Sequence, residues 1–238
     1  MLESVENQEV WGRYTFLGYD PKLEITCMNG EMCIRESGSE EGAKEPVAHP
    51  GAKIKEILKE YTSPKVKDLP SFTGGLVGYF SYDYVKYSEP KLNLDADDQE
   101  GFKDVDLMLF DKVIAFDNLR QKIYIIANAR TENLEQEYDR CLAEIEEIVD
   151  LIEHGTPAQI TPGKITSEFR PLFSEQEYCA MVEKAKHYIY EGDIFQVVLS
   201  NRLEADYEGS LFNAYRMLRT INPSPYMFYF SSDDIEVA

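Results

Sequence analysis

The chain has 238 residues, 43% of them hydrophobic, and its 24 basic and 44 acidic side chains give a formal charge of −20. That length holds one large domain or two small ones, and a surface so acidic repels nucleic-acid phosphates and anionic lipid headgroups alike. No apolar run reaches the ~18 residues of a membrane helix, and Met1-Leu2-Glu3-Ser4 lacks the basic start and apolar core of a signal peptide, so a cytoplasmic protein with no nucleic-acid or membrane partner is expected.

In chain order, residues 11–19 read as an aromatic-rich strand. Residues 23–28 and 31–35 alternate apolar with polar around Asn29-Gly30, a pair that accepts the positive φ angles of a type I′ turn, so a hairpin is expected. Residues 36–48 are polar and predict an exposed loop. Ile54, Ile57, Leu58 and Tyr61 mark one face of a short helix. Residues 72–80 form an apolar strand with three glycines, which signals a bulge or a close backbone approach. They match neither the P-loop nor the dinucleotide-binding pattern. The acidic stretch 88–104 is expected to be exposed.

Residues 107–116 and 122–129 predict two further strands, and 131–154 a long helix with Leu134, Tyr138, Leu142, Ile145, Val149 and Ile152 on one apolar stripe. Residues 156–172, rich in proline and without periodicity, read as the linker between a first region, 1–155, and a second, 173–238. Ser174 and Glu177 have capping-box spacing for a helix that Gly192 ends. Residues 194–203 predict a strand, 210–221 a helix with Leu211, Tyr215 and Leu218 inward, and 226–238 a hairpin. Runs of strands joined by short turns, with a few helices, imply an α+β fold of mostly antiparallel sheets with packed helices. Residues 173–238 hold too few strands for a core of their own and are expected to pack on the first region.

Cys27, Cys33, Cys141 and Cys179 form no C-x-x-C pair and read as free buried thiols. His49, His154 and His187 are scattered, and none has a partner at metal-ligand spacing.

Four blocks go further than periodicity. They are Leu2-Glu3-Ser4-Val5-Glu6 followed by Gly12-Arg13-Tyr14-Thr15-Phe16-Leu17-Gly18; Thr73 to Phe80 with Tyr82-Asp83; Tyr190-Glu191-Gly192-Asp193-Ile194-Phe195-Gln196 through Arg202; and Asn222-Pro223-Ser224-Pro225-Tyr226-Met227-Phe228-Tyr229-Phe230. In this order, spanning almost the whole chain, they resemble the N-terminal half of the large subunits of anthranilate synthase, ending at the start of the chorismate-binding domain. Asn201 stands where a glutamine is commoner in that family.

The resemblance implies a lyase that converts chorismate and ammonia to anthranilate and pyruvate. It implies a glutamine amidotransferase partner that supplies the ammonia, Mg²⁺ as cofactor, and tryptophan as feedback inhibitor. The family's Mg²⁺ ligands are expected beyond residue 238, so the 238 residues alone are expected to be inactive. Glu3, Ser4, Asn222, Pro223, Ser224, Pro225, Tyr226 and Met227 match the segments that hold tryptophan in the family. Read from the residues alone, Asn-Pro-Ser-Pro is a turn and 226–230 a buried strand, and it is the resemblance that favours the binding role. Gln196 matches a position lining the active site, where related enzymes that add water place a lysine base. A glutamine takes no proton near pH 7, which implies ammonia as nucleophile, although a satisfied strand glutamine is the other reading. The Asn222–Met227 block favours the tryptophan branch over the aminodeoxychorismate synthase large subunit of folate synthesis. A truncated, non-catalytic tryptophan-binding fragment is the remaining alternative.

Overall fold

A computed structural model describes residues 1–4, 12–89, 91–92, 94, 98 and 100–238. Trp11, Val5 and Glu6, and part of the acidic stretch 88–104, lie outside the described residues. The chain forms two compact units, one of residues 1–157 with 218–238 and one of residues 158–217. The last 21 residues therefore belong to the unit that the first residues build, while the stretch expected as a linker opens the other unit.

The strands of the first unit are β1 (Leu2–Glu3), β2 (Tyr14–Leu17), β3 (Leu23–Met28), β4 (Glu31–Glu36), β5 (Ala43–Pro46), β6 (Gly75–Phe80), β7 (Val105–Phe110), β8 (Lys112–Asp117) and β9 (Lys122–Ala127). Its helices are α1 (Pro50–Glu60) and α2 (Leu134–His154). In the second unit lie β10 (Lys164–Ile165), β11 (Arg170–Pro171), α3 (Glu175–Glu191), β12 (Leu203–Glu204) and β13 (Tyr207–Glu208); α4 (Phe212–Ile221) then leads to β14 (Met227–Phe228), β15 (Phe230–Ser231) and β16 (Glu236–Val237). Every strand pairing is antiparallel. The α+β class expected from the sequence is the class observed.

Two five-stranded sheets dominate the first unit, ordered β14-β1-β2-β8-β9 and β5-β4-β3-β7-β6. The run 107–116, expected as one strand, is broken at Asp111, and its halves enter different sheets as β7 and β8. The break is held from outside: Asn128 donates from its Nδ2 to the carbonyls of Asp111 and Thr73, at 2.9 and 2.8 Å. Because side chains alternate along a strand, β7 serves two cores. Val105, Leu107 and Leu109 join Leu23, Ile25, Cys27, Met32 and Ile54 of α1, whereas Met108 and Phe110 join Val113, Phe16, Phe72, Val77 and Phe230, so this second cluster draws on both sheets. Fully burying each such aliphatic side chain contributes roughly 1.5–3 kcal/mol.

The hairpin at Asn29-Gly30 forms as expected, with Met28 opposite Glu31 and both turn residues at positive φ, 49° and 81°. Tyr87 locks it by accepting from the Gly30 amide at 2.8 Å and donating to Asp104 at 2.7 Å. Gly78 shows why β6 is glycine-rich. Its φ is +155°, and a Cβ there would sit 2.0 Å from the Asp106 carbonyl oxygen on β7.

Other expectations need correction. Residues 43–46 lie within the expected loop 36–48 yet form the edge strand β5, whose Lys44 and Glu45 are the charged residues that edges favour. The α2 stripe is rotated from the expected one. Cys141 and Ile148 are the buried residues, whereas Leu134, Tyr138, Leu142, Val149 and Ile152 stay exposed. Residues 194–202 form no strand, because a strand exists only where a neighbour completes its ladder and none does so among the described residues; Phe195 is 92% exposed there.

In the second unit the Ser174 capping box forms as expected, its hydroxyl accepting from the Glu177 amide while the Glu177 carboxylate accepts from the Ser174 amide at 2.9 Å. Gly192 ends α3 at φ +83°. Of the residues expected inward on the helix at 210–221, Tyr215 is buried and Leu218 is exposed. The cysteines are all free; Cys27 and Cys141 are buried as expected, but Cys33 is only half-buried and Cys179 is exposed. No helix among the described residues is long and apolar enough to cross a membrane.

Candidate functional site

The β1–β14 ladder brings residues from opposite ends of the sequence together. Leu2 stands opposite Phe228 and Glu3 opposite Met227. The Met1 nitrogen donates to the Tyr229 carbonyl at 2.7 Å, and the Tyr229 amide donates to the Met1 carbonyl at 2.9 Å.

The local sequence delivers Met227 to that position. The Asn222 amide donates to the Leu218 carbonyl at 2.8 Å and closes α4. Pro223 and Pro225 have no backbone donor and stop the helix from continuing. The Ser224 hydroxyl accepts from the Tyr226 amide at 3.4 Å, a side-chain turn that redirects the chain into β14. Met227 is then buried in the ladder, while Tyr226 remains 76% exposed.

Glu3 is the unusual group. Its side chain is only 3% exposed, and Arg219 on α4 sits 2.9 Å from its Oε2. A carboxylate so deeply buried requires a cation or hydrogen-bond donors. Arg219 carries no motif in the sequence and was missed there. The signal that could have found it is its i, i+4 spacing from the buried Tyr215 on α4, which sets its position on that helix.

Ser4 follows Glu3 directly and is half-buried. The structure thus gathers Glu3 and Met227, with Ser4 and the turn Asn222 to Tyr226 as their immediate chain neighbours. Gln196 is not part of this cluster. It belongs to the other unit, exposed in the unpaired stretch 194–202. Asp193 there extends the α3 end turn, its amide donating to the Tyr188 carbonyl at 3.1 Å.

A cavity of about 1310 Å³ lies in the first unit, lined by Leu2, Phe16, Phe72, Met108, Phe110 and Phe228 among others. Strand alternation points Leu2 and Phe228 into it and Glu3 and Met227 to the opposite face of the same ladder. The cavity and the Glu3 cluster are separate features, and the cavity had no counterpart in the sequence reading. Among the described residues no group of three His, Cys, Asp or Glu side chains is gathered as a metal site would need.

Comparison with known proteins gives a consistent picture. The model of the chorismate binding enzyme family matches residues 4–238. Anthranilate synthase component 1 of Acetivibrio thermocellus is 38% identical over 237 residues, which covers 96% of this chain and 47% of that protein. Its counterpart in Aquifex aeolicus (strain VF5) is 38% identical over 243 residues, covering 100% and 48%. The crystal structure of anthranilate synthase component I from Streptococcus pneumoniae TIGR4 matches with a TM-score of 0.68 and 28% identity, covering 94% of this chain and 48% of that one. The chain spans about half the length of these relatives.

Proposed function

Since the chain belongs to the chorismate-binding enzyme family and is similar to anthranilate synthase component 1 over about half that protein's length, we propose that it is part of an anthranilate synthase large subunit and that it carries the enzyme's tryptophan-sensing site. The reaction of the whole subunit adds ammonia to chorismate, loses a ring hydroxyl as water and eliminates pyruvate to leave anthranilate. A glutamine amidotransferase supplies the ammonia. Mg²⁺, held by residues outside those described, would supply Lewis-acid stabilisation of the departing oxygen and of the substrate carboxylates.

The observation that carries the sensing role is the register of β1 with β14. It sets a buried carboxylate, Glu3, opposite Met227 and next to Ser4. A free amino acid needs an acceptor for its ammonium, a donor for its carboxylate and an apolar wall for its side chain. Glu3 is the acceptor, a buried carboxylate held in place by Arg219 at its Oε2. Ser4 is a donor. Pro225, Tyr226 and Met227 form the wall, where a ring and a thioether suit an indole. Gln196 is a residue with no base function at neutral pH, in keeping with ammonia as the nucleophile.

The test is Ser4→Ala and Pro223→Ser, each in the full-length enzyme. In Ser4→Ala inhibition by tryptophan is expected to need ~10-fold more ligand, as the loss of one hydrogen bond to a charged group implies; in Pro223→Ser it is expected to need more ligand because the fixed turn is loosened; turnover at low tryptophan is expected to stay nearly unchanged in both. Inhibition curves that coincide with the parent's contradict the assignment. For the partner, an ammonium salt at high pH is expected to replace glutamine and the amidotransferase, because neutral ammonia is the nucleophilic form. A full-length enzyme indifferent to both nitrogen sources contradicts that part.

A further inference from the structure

Asn29-Gly30 turns the β3–β4 hairpin, and the same pair is chemically vulnerable. A glycine after an asparagine has no Cβ to hinder its amide nitrogen, which can attack the asparagine side-chain carbonyl. We infer that Asn29 is a latent deamidation site and that Tyr87 keeps it silent by holding the Gly30 amide.

In that reaction the Gly30 nitrogen gives its proton to a solvent base and bonds to Asn29 Cγ. The Cγ–Nδ2 bond breaks, and Nδ2 leaves as ammonia after taking a proton from water. Water then opens the cyclic imide, to aspartate at one carbonyl or to isoaspartate at the other. Water is the only co-reactant, and nothing is oxidised or reduced.

Asn29 is exposed, so water reaches it. The turn is nevertheless pinned at the groups that cyclisation must move. The Asn29 amide donates to Asp104 Oδ2 at 2.8 Å, and Lys86 Nζ donates to Asn29 Oδ1 at 3.1 Å. The Gly30 amide donates to the Tyr87 hydroxyl at 2.8 Å, and the Gly30 carbonyl accepts from the Val47 amide at 2.7 Å. Lys86 does not protect the side-chain carbonyl, because an ammonium at Oδ1 favours the negative charge that attack develops there. Protection therefore falls on the nucleophile, where Tyr87 sits. Before Gly30 can lose its proton and swing toward Cγ, its bond to Tyr87 must break. Tyr87 is no base for that proton. Its own is donated to Asp104 at 2.7 Å, and burial, then that carboxylate, raises the hydroxyl well above its ordinary value of 10.0.

What Tyr87 guards is the register of the sheet. An isoaspartate adds a carbon to the backbone of the turn, while β3 and β4 pair from Leu23–Glu36 to Met28–Glu31 in a register that buries Ile25, Cys27 and Met32. Either product also places a new carboxylate close to Asp104, and like charges at short range repel.

The test is to incubate the 238-residue chain at mildly alkaline pH beside a synthetic peptide of residues 25–34, and to map peptides for loss of ammonia at Asn29 and for isoaspartate. The folded chain is expected to deamidate at least about tenfold more slowly than the peptide, since more than one hydrogen bond must break. Tyr87→Phe keeps the ring and removes the hydroxyl, and it is expected to speed Asn29 deamidation about fivefold, the effect of one ordinary hydrogen bond. Gly78→Ala strains the same sheet away from the turn and is expected to deamidate near the parent's rate. A parent that deamidates as fast as the peptide overturns the proposal, and that comparison holds even where Tyr87→Phe does not fold. A folded Tyr87→Phe with the parent's rate overturns the role of Tyr87. So does a Gly78→Ala chain that speeds up as much as Tyr87→Phe, because the cause is then a general loss of stability.

Discussion

Asp106 and Asp117 are both buried, and their surroundings push them in opposite directions. Burial drives the Asp106 carboxyl above its ordinary value of 3.8, with Lys103 at 3.6 Å and the Ser232 hydroxyl at 3.0 Å only partly offsetting it. The same burial, with Asp106 nearby, pushes Tyr79 up to about 12. An acid whose folded pKa is raised holds its proton longer in the folded state, so stability falls as pH rises from 3.8 through the folded value. Asp106→Asn keeps an acceptor for Ser232 and removes the desolvated charge. Its melting temperature at pH 7 is expected to equal or exceed the parent's, with the gap closing toward pH 4. A variant less stable than the parent by the same margin at every pH contradicts this.

Asp117 has the reverse sign. Its side chain is fully buried, the Arg13 fork donates at 2.8 and 3.2 Å, and the Arg120 amide donates at 3.0 Å. The Arg13 guanidinium holds this carboxyl below 3.8, against the cost of burial. The stabilisation is complete above the unfolded pKa and is lost as pH falls through the lowered folded value. Asp117→Asn is expected to melt below the parent at pH 7, with the difference shrinking below pH 4. Thermal melts across that range read both effects, and equal slopes for the two variants contradict the assigned signs. Neither carboxylate is recognisable in the sequence, where an acid inside an apolar run looks like an exposed strand position.

Elements whose signal is local were legible. Asn29-Gly30 specifies a turn, Ser174 with Glu177 specifies a helix start, and Gly192 specifies a helix end, each through backbone geometry that nearby residues determine. Elements that depend on distant partners were not. The run 107–116 is apolar on both sides of Asp111-Lys112, and the hydrogen bonds from Asn128 to the carbonyls of Thr73 and Asp111, made by a residue distant in sequence, hold its division between two sheets. Residues 194–202 are apolar enough to read as a strand, but no neighbour among the described residues completes a ladder with them. Glycines show the same contrast quantitatively. Gly78→Ala forces a Cβ against the Asp106 carbonyl oxygen at positive φ and is expected to cost at least ~2 kcal/mol. Gly192→Ala meets nothing within 4 Å, and its left-handed φ alone is expected to cost about 1 kcal/mol. Urea denaturation of both variants checks the order, and equal losses contradict the close approach at Gly78.

At the scale of the whole molecule, the class followed from the sequence, but the division into units did not. The last 21 residues belong to the unit of residues 1–157, because β14 completes the β1 ladder and Phe230 enters the core cluster shared by the two sheets. That return is what sets Glu3 against Met227 and builds the proposed sensing site. The candidate site was legible in part, since the blocks at Glu3-Ser4 and at Asn222 to Met227 stand out as words. Arg219 does not, because its role depends on a buried anion far away in the chain. The most direct test of the division of labour is to supply the purified 238-residue chain with chorismate, Mg²⁺ and excess ammonia and to follow anthranilate fluorescence. No signal above a heat-killed control is expected, and steady turnover would show that the catalytic groups reside in this chain after all.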